Sequence, residues 1–153
     1  MNTDQTQEML SYYLQSGPMT DARECSEWLN GLPQGPAGLR DVVQGLAVHI
    51  FWAQRYGLEL SEERKAEVQL RHVSQKLAQI QALDPRPLDL RRPLERRLVS
   101  NCRDFTVLMV TMLRAQGIPA RSRCGFGRYF LPNHFEDHWV AEYWHPGQGR
   151  WVL

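Results

Sequence analysis

Apolar positions recur at helical spacing through most of the first hundred residues and switch to alternation after Gly117. Met9, Leu10, Tyr12 and Tyr13 fall on one side of a helix over 4–15, which Gly17-Pro18 ends. Thr20 or Asp21 caps a short helix with Trp28 and Leu29 inward, and Asp21 with Glu24 fits a capping box. After a connector from Gly31 to Pro36, the spacing of Leu39, Val42, Val43, Leu46, Ile50 and Phe51 predicts a longer helix from about Pro36 to Tyr56. A proline near its start and Gly57 just past its end suit that reading. Ser61 caps the next helix, whose narrow stripe is Ala66, Leu70, Val73, Leu77 and Ile80. Asp84-Pro85-Arg86-Pro87 stops it. A stiff loop rich in proline and arginine leads to Pro93, and Leu94 to Val99 reads as one or two helical turns.

Asn101 is an N-cap, and Asp104 three residues later completes a capping-box pattern. Phe105, Leu108, Met109, Met112 and Leu113 give this helix a wide apolar face, so it is expected to be buried. Gly117 ends it. Ala120 to Phe126 alternates, with Arg121 and Arg123 on one side and Ala120, Ser122, Cys124 and Phe126 on the other, which makes Cys124 a core-facing residue. A polar turn from Asn133 to Asp137 carries His134. The next strand sets His138, Val140, Glu142 and Trp144 on one face and Trp139, Ala141 and Tyr143 on the other. Pro146-Gly147-Gln148-Gly149 signals a hairpin into a third strand beginning at Arg150. Helices followed by antiparallel strands make the fold class α+β, and the 153 residues suit one compact domain.

Charge changes the picture little in sum and more in distribution. The net charge is +1, yet residues 1–30 hold five acids and one base, while residues 84–128 hold ten arginines and four acids. Solvated faces of opposite sign explain this. A nucleic-acid contact through residues 86–103 is the weaker alternative, since no binding motif accompanies the arginines, and no nucleic-acid partner is expected. Three cysteines, Cys25, Cys102 and Cys124, form no disulfide framework and suit a reducing compartment. The polar, acidic start carries no signal-peptide pattern, and no 18-residue apolar run is present, so a cytoplasmic location without membrane attachment is expected.

The chemistry centres on Cys102 and His138. Cys102 precedes Phe105 by three and Met109 by seven, which places it on the inward face of the first helical turn. There the unpaired N–H groups and the helix dipole favour a thiolate, the nucleophile of acyl-transfer chemistry. A buried cysteine acting as a small hydrophobe is the bland alternative. His138 leads a strand expected to lie beside that helix, 36 residues on. Cys102, Cys124, His134 and His138 also have zinc-ligand chemistry, but the two cysteines lie 21 intervening residues apart, far from knuckle spacing, and neither metal nor cofactor is expected. His49 reads as a histidine packed against the core, with a substrate contact as the sharper alternative, and His72 as solvent-facing.

Cys102-Arg103-Asp104-Phe105, an apolar helix, Leu113-Arg114 with Gly117-Ile118-Pro119-Ala120-Arg121, then Gly125-Phe126, Asp137-His138-Trp139 and Arg150-Trp151-Val152 follow in an order that resembles the transglutaminase-like superfamily. The resemblance is close to bacterial proteins in which such a domain follows a helical region. It implies residues 1–93 as that helical region and 94–153 as the first part of a papain-like core, a cysteine-bearing helix packed on an antiparallel sheet. It further implies Cys102 as nucleophile, His138 as base, and a peptide or protein carboxamide as substrate, attacked to form a thioester that an amine or water resolves. The family's histidine-orienting aspartate lies just beyond the Trp-Val of the third strand, and the sequence reaches Leu153 before one, so the chain is expected to be C-terminally incomplete. A non-catalytic module binding peptide or protein in the same groove is the alternative.

Overall fold

The computed structural model describes residues 3–129 and 132–153. Its axis is α5, Cys102–Ala115, and the sequence explains both ends of that helix. Asn101 Oδ1 accepts from the Asp104 N–H at 3.3 Å, while Asp104 Oδ2 accepts from the Asn101 N–H at 3.0 Å. Two N–H groups that the helix cannot serve are thereby satisfied. At the far end Gly117 turns the chain at φ 72°, a conformation that costs a glycine little.

Strands β3 (Ala120–Gly127), β4 (Glu136–His145) and β5 (Arg150–Val152) form an antiparallel sheet in sequence order. Their register sets Gly125 opposite His138, Arg121 opposite Glu142, and Trp144 opposite Trp151. α5 packs on β4 and β3, with Ala141 and Tyr143 turned toward the core. Glu142 lies on the other face, bonded to Arg121 at 2.7 Å, so the expected alternation of β4 holds there. α2 (Gly35–Leu46) and α4 (Val73–Leu83) cover the rest of α5. Leu39, Leu46, Leu77, Ile80, Leu108 and Leu113 are fully buried in the common cluster, so the helical and sheet segments share one core. The helix-on-antiparallel-sheet arrangement is α+β, as the pattern predicts. Among the described residues no helix is long and apolar enough to cross a membrane.

Three expected helices are corrected. The helix drawn from Pro36 to Tyr56 stops at Leu46, and Ala47–His49 becomes strand β1. Its partner is β2, Leu98–Ser100, where one or two helical turns were expected; only Leu94–Arg96 coils, as a 3-10 turn. The two strands run parallel, Val48 beside Val99, both buried. Short apolar runs cannot separate a buried strand from a helix, and this pairing lies 51 residues apart, beyond local periodicity. The helix capped by Ser61 is the third. It comprises α3 (Glu62–Lys65) and a 3-10 turn over Ala66–Gln69, and it breaks before α4. The break lets the buried Glu67 carboxylate accept the Val99 N–H at 2.7 Å. α1 itself spans Thr3–Tyr12.

The arginine-rich stretch is folded inward at several points. Arg92 is 1% exposed and its guanidinium donates to the carbonyls of Asp84, Arg86, Pro87 and Leu90. One side chain thus organises the proline loop, replacing backbone pairs that prolines cannot make. Arg103 donates to the Val68 carbonyl at 2.7 Å, and Arg114 to those of Ala120 and Gln15. The expected core position of Cys124 is also corrected: it is exposed, because β3 runs past the cover of α5 there and Phe126 is 77% exposed.

Candidate active site

The parallel strand pair and the capping box together fix where the thiol stands. β2 ends at Ser100, Asn101 caps, and Cys102 is the first residue of α5. Beneath it, Asp104 is 1% exposed and does more than cap. Its Oδ1 receives the Lys76 ammonium at 2.7 Å and the Arg103 guanidinium at 3.0 Å. Lys76, 0% exposed on α4, also donates to the Leu70 carbonyl. A buried ion pair holds its position only when its remaining polar atoms are bonded, and these are. The pair therefore pins the start of α5 to α4.

Cys102 is half-buried and opens onto a mainly apolar cavity of about 410 Å³. His138 lines the same cavity from β4, together with Trp139, Val140 and Ala141. Tyr129 stands edge-on to His138 with ring centroids 6.1 Å apart. α2 contributes Arg40, Val43 and Gln44, and α5 contributes Phe105, Thr106 and Met109. The structure thus brings the two sequence-predicted residues, Cys102 and His138, to one cavity. Cys124 is exposed on β3, opposite Trp139, and does not line it. Among the described residues no group of three or more His, Cys, Asp or Glu is gathered to hold a metal ion.

Two carboxylates near in sequence are committed elsewhere. Glu142 holds Arg121 at 2.7 Å and Arg123 at 3.5 Å, and Asp104 holds Lys76 and Arg103. Asp137 is exposed opposite Phe126.

His49, read from the apolar pattern as packed against the core with a substrate contact as the alternative, is a cavity residue. β1 carries it to the cavity wall, with its Cα opposite Ser100, two residues before Cys102. Its ring stacks on Phe105, centroids 6.2 Å apart and planes 19° apart. Burial, and then the neighbouring His138, lower its proton affinity below the usual histidine range, against the opposing pull of Asp104. Lys76 was missed. The available signal was its place three residues after Val73 and four before Ile80, a lysine within the apolar stripe.

Comparison with known protein families matches residues 51–153 to the transglutaminase-like superfamily core. No curated protein and no solved structure matches significantly.

Proposed function

Since the chain belongs to the transglutaminase-like superfamily, we propose that it is a cysteine acyltransferase or amide hydrolase acting through Cys102 and His138. The observation that carries this reading is that Cys102 and His138 both line one cavity at the N-terminus of a buried helix. His138 takes the Cys102 proton and the sulfur attacks a carboxamide carbonyl. The carbonyl π pair moves to oxygen, where the backbone N–H of Cys102 is a donor for the developing charge. Collapse breaks the C–N bond, His138 protonates the departing nitrogen, and a thioester remains on Cys102. An amine or water then attacks the thioester and releases the thiol. The substrate class is a peptide or protein carboxamide whose neighbouring groups are apolar, matching the Val43, Met109 and Val140 lining. Three cysteines without a disulfide accord with a cytoplasmic setting.

The test is site-resolved alkylation by iodoacetamide at neutral pH, read by mass spectrometry. Cys102 is expected to label faster than an unfolded-chain thiol, and His138→Ala is expected to slow it by at least tenfold. Labelling at the unfolded-chain rate, indifferent to His138→Ala, would refute the pair. The commitment of Glu142 and Asp104 to cationic partners favours a second reading, in which the cavity binds a peptide without turnover. Under that reading Cys102→Ala retains peptide affinity and biological effect in full.

A further inference from the structure

The neutral tautomer of His49 is assigned by its own strand. The Phe51 backbone N–H donates to His49 Nδ1 at 3.3 Å, so Nδ1 is the acceptor and the ring proton sits on Nε2. That leaves an N–H on the ring edge away from the strand, in a residue that lines the cavity with Cys102 and His138. Phe105 stacking holds the ring plane, and Phe105 is one turn along α5 from Cys102. We infer that His49 is a second oxyanion donor, its Nε2–H acting beside the backbone N–H of Cys102 on the carbonyl oxygen that Cys102 attacks. The inference rests on the reading of Cys102 as nucleophile.

A histidine in this tautomer gives a hydrogen bond and cannot take the thiol proton through Nε2, which separates its role from that of His138. The titratable groups that act on the ring are His138 and Asp104. The first resists a second positive charge beside it, the second attracts one, and burial sides with the first. The ring therefore meets the substrate neutral. In the reaction the S–C bond forms, the carbonyl π electrons become the third lone pair on oxygen, and that oxygen accepts from Nε2–H. When the leaving group departs the C=O bond reforms and the hydrogen bond weakens. His49 transfers no proton.

Two probes separate this role from a structural one, both used on the full chain carrying Cys124→Ser, which removes the exposed thiol. p-Nitrophenyl acetate acylates Cys102 through a tetrahedral oxyanion and releases p-nitrophenolate; iodoacetamide alkylates it by displacement of iodide, with no oxyanion. His49→Phe keeps the ring stack and removes the donor. It is expected to slow acylation about 10²–10³-fold, as loss of one oxyanion donor does, and to leave alkylation within about twofold. His49→Gln, which keeps an N–H donor, is expected to recover at least about tenfold of the lost acylation rate. An equal fall in both reactions, or no fall in acylation, overturns the assignment. Should His49→Phe fail to fold, His49→Gln and His49→Leu carry the same comparison. If Cys102 in the otherwise native chain reacts with neither probe, the nucleophile reading itself fails, an outcome distinct from a selective result at His49.

Discussion

Replacing Lys76 by methionine tests whether the start of α5 is held as described. The substitution nearly conserves volume, so packing changes little. What is lost is the 2.7 Å bond to Asp104 and the bond to the Leu70 carbonyl, inside a site 0% exposed. Asp104 keeps Arg103 at 3.0 Å and the Asn101 N–H at 3.0 Å, so its charge is only partly abandoned. Breaking a buried pair costs about 3–5 kcal/mol, and the surviving partners place this case near about 3 kcal/mol. For about 150 residues that lowers the melting temperature by roughly 6–12 °C. Asp104→Asn leaves Lys76 as the stranded charge and is expected to cost a similar amount. The double variant removes both charges, so the pair should show a coupling of about 2 kcal/mol, within the range for contacting residues. Urea unfolding of the four proteins measures it. A Lys76→Met cost under about 1 kcal/mol, or singles that sum to the double within about 0.5 kcal/mol, would refute the pinning argument.

Four further outcomes follow from named contacts. The Arg86 guanidinium on Asp84 holds its carboxyl down at about 2, below its usual value; stability from that group is present above about pH 4 and lost as pH falls through about 2, so Asp84→Asn should flatten acid unfolding in that window. His49, depressed in the folded state, opposes protonation; its contribution is complete above about pH 6.5 and is lost as pH falls through its lower folded value, and His49→Phe should flatten the stability profile there. A thiol reagent applied to native protein should label Cys124 readily and Cys25 only on unfolding, since Cys25 is 2% exposed with its S–H on the Ser74 carbonyl and burial raises its pKa. Gly38→Ala, stabilising by about 1 kcal/mol in an ordinary helix interior, should instead destabilise, because the new Cβ would stand 2.7 Å from Pro33 Cβ; thermal unfolding decides the sign.

The caps at Ser61 and Asn101 and the sheet were legible because their causes are local, whereas the capping box expected of Asp21 and Glu24 does not form at the 3-10 turn Arg23–Leu29, which starts after Ala22 without a side-chain cap. Asn101 and Asp104, Gly117, and the alternation from His138 to Trp144 each act within a few residues, and α5 and β4 follow them. The placement of Cys102 at the start of α5 and of His138 near the start of β4 followed from the same local signals. The pairing of β1 with β2 was not, because Ala47 and Leu98 meet only in the fold, and each run alone fits a helical turn. His49 became a cavity residue through that unforeseen pairing. Cys124 misled because alternation tells which residues share a face and says nothing of where the covering helix stops.

The contact between Tyr13 and Trp151, ring centroids 4.9 Å apart, has a consequence for the order of synthesis. A ribosome adding about 5–20 residues per second takes roughly 7–28 s to travel from one to the other. During that interval α1 can coil, but the ring that Tyr13, just past its end, stacks against does not exist. The cation–π contact of Arg121 with Trp151, at 4.2 Å, waits for the same strand. Nascent chains of this protein therefore lack this aromatic contact until β5 is made, and Tyr13, the residue after α1, gains its Trp151 partner only with that strand.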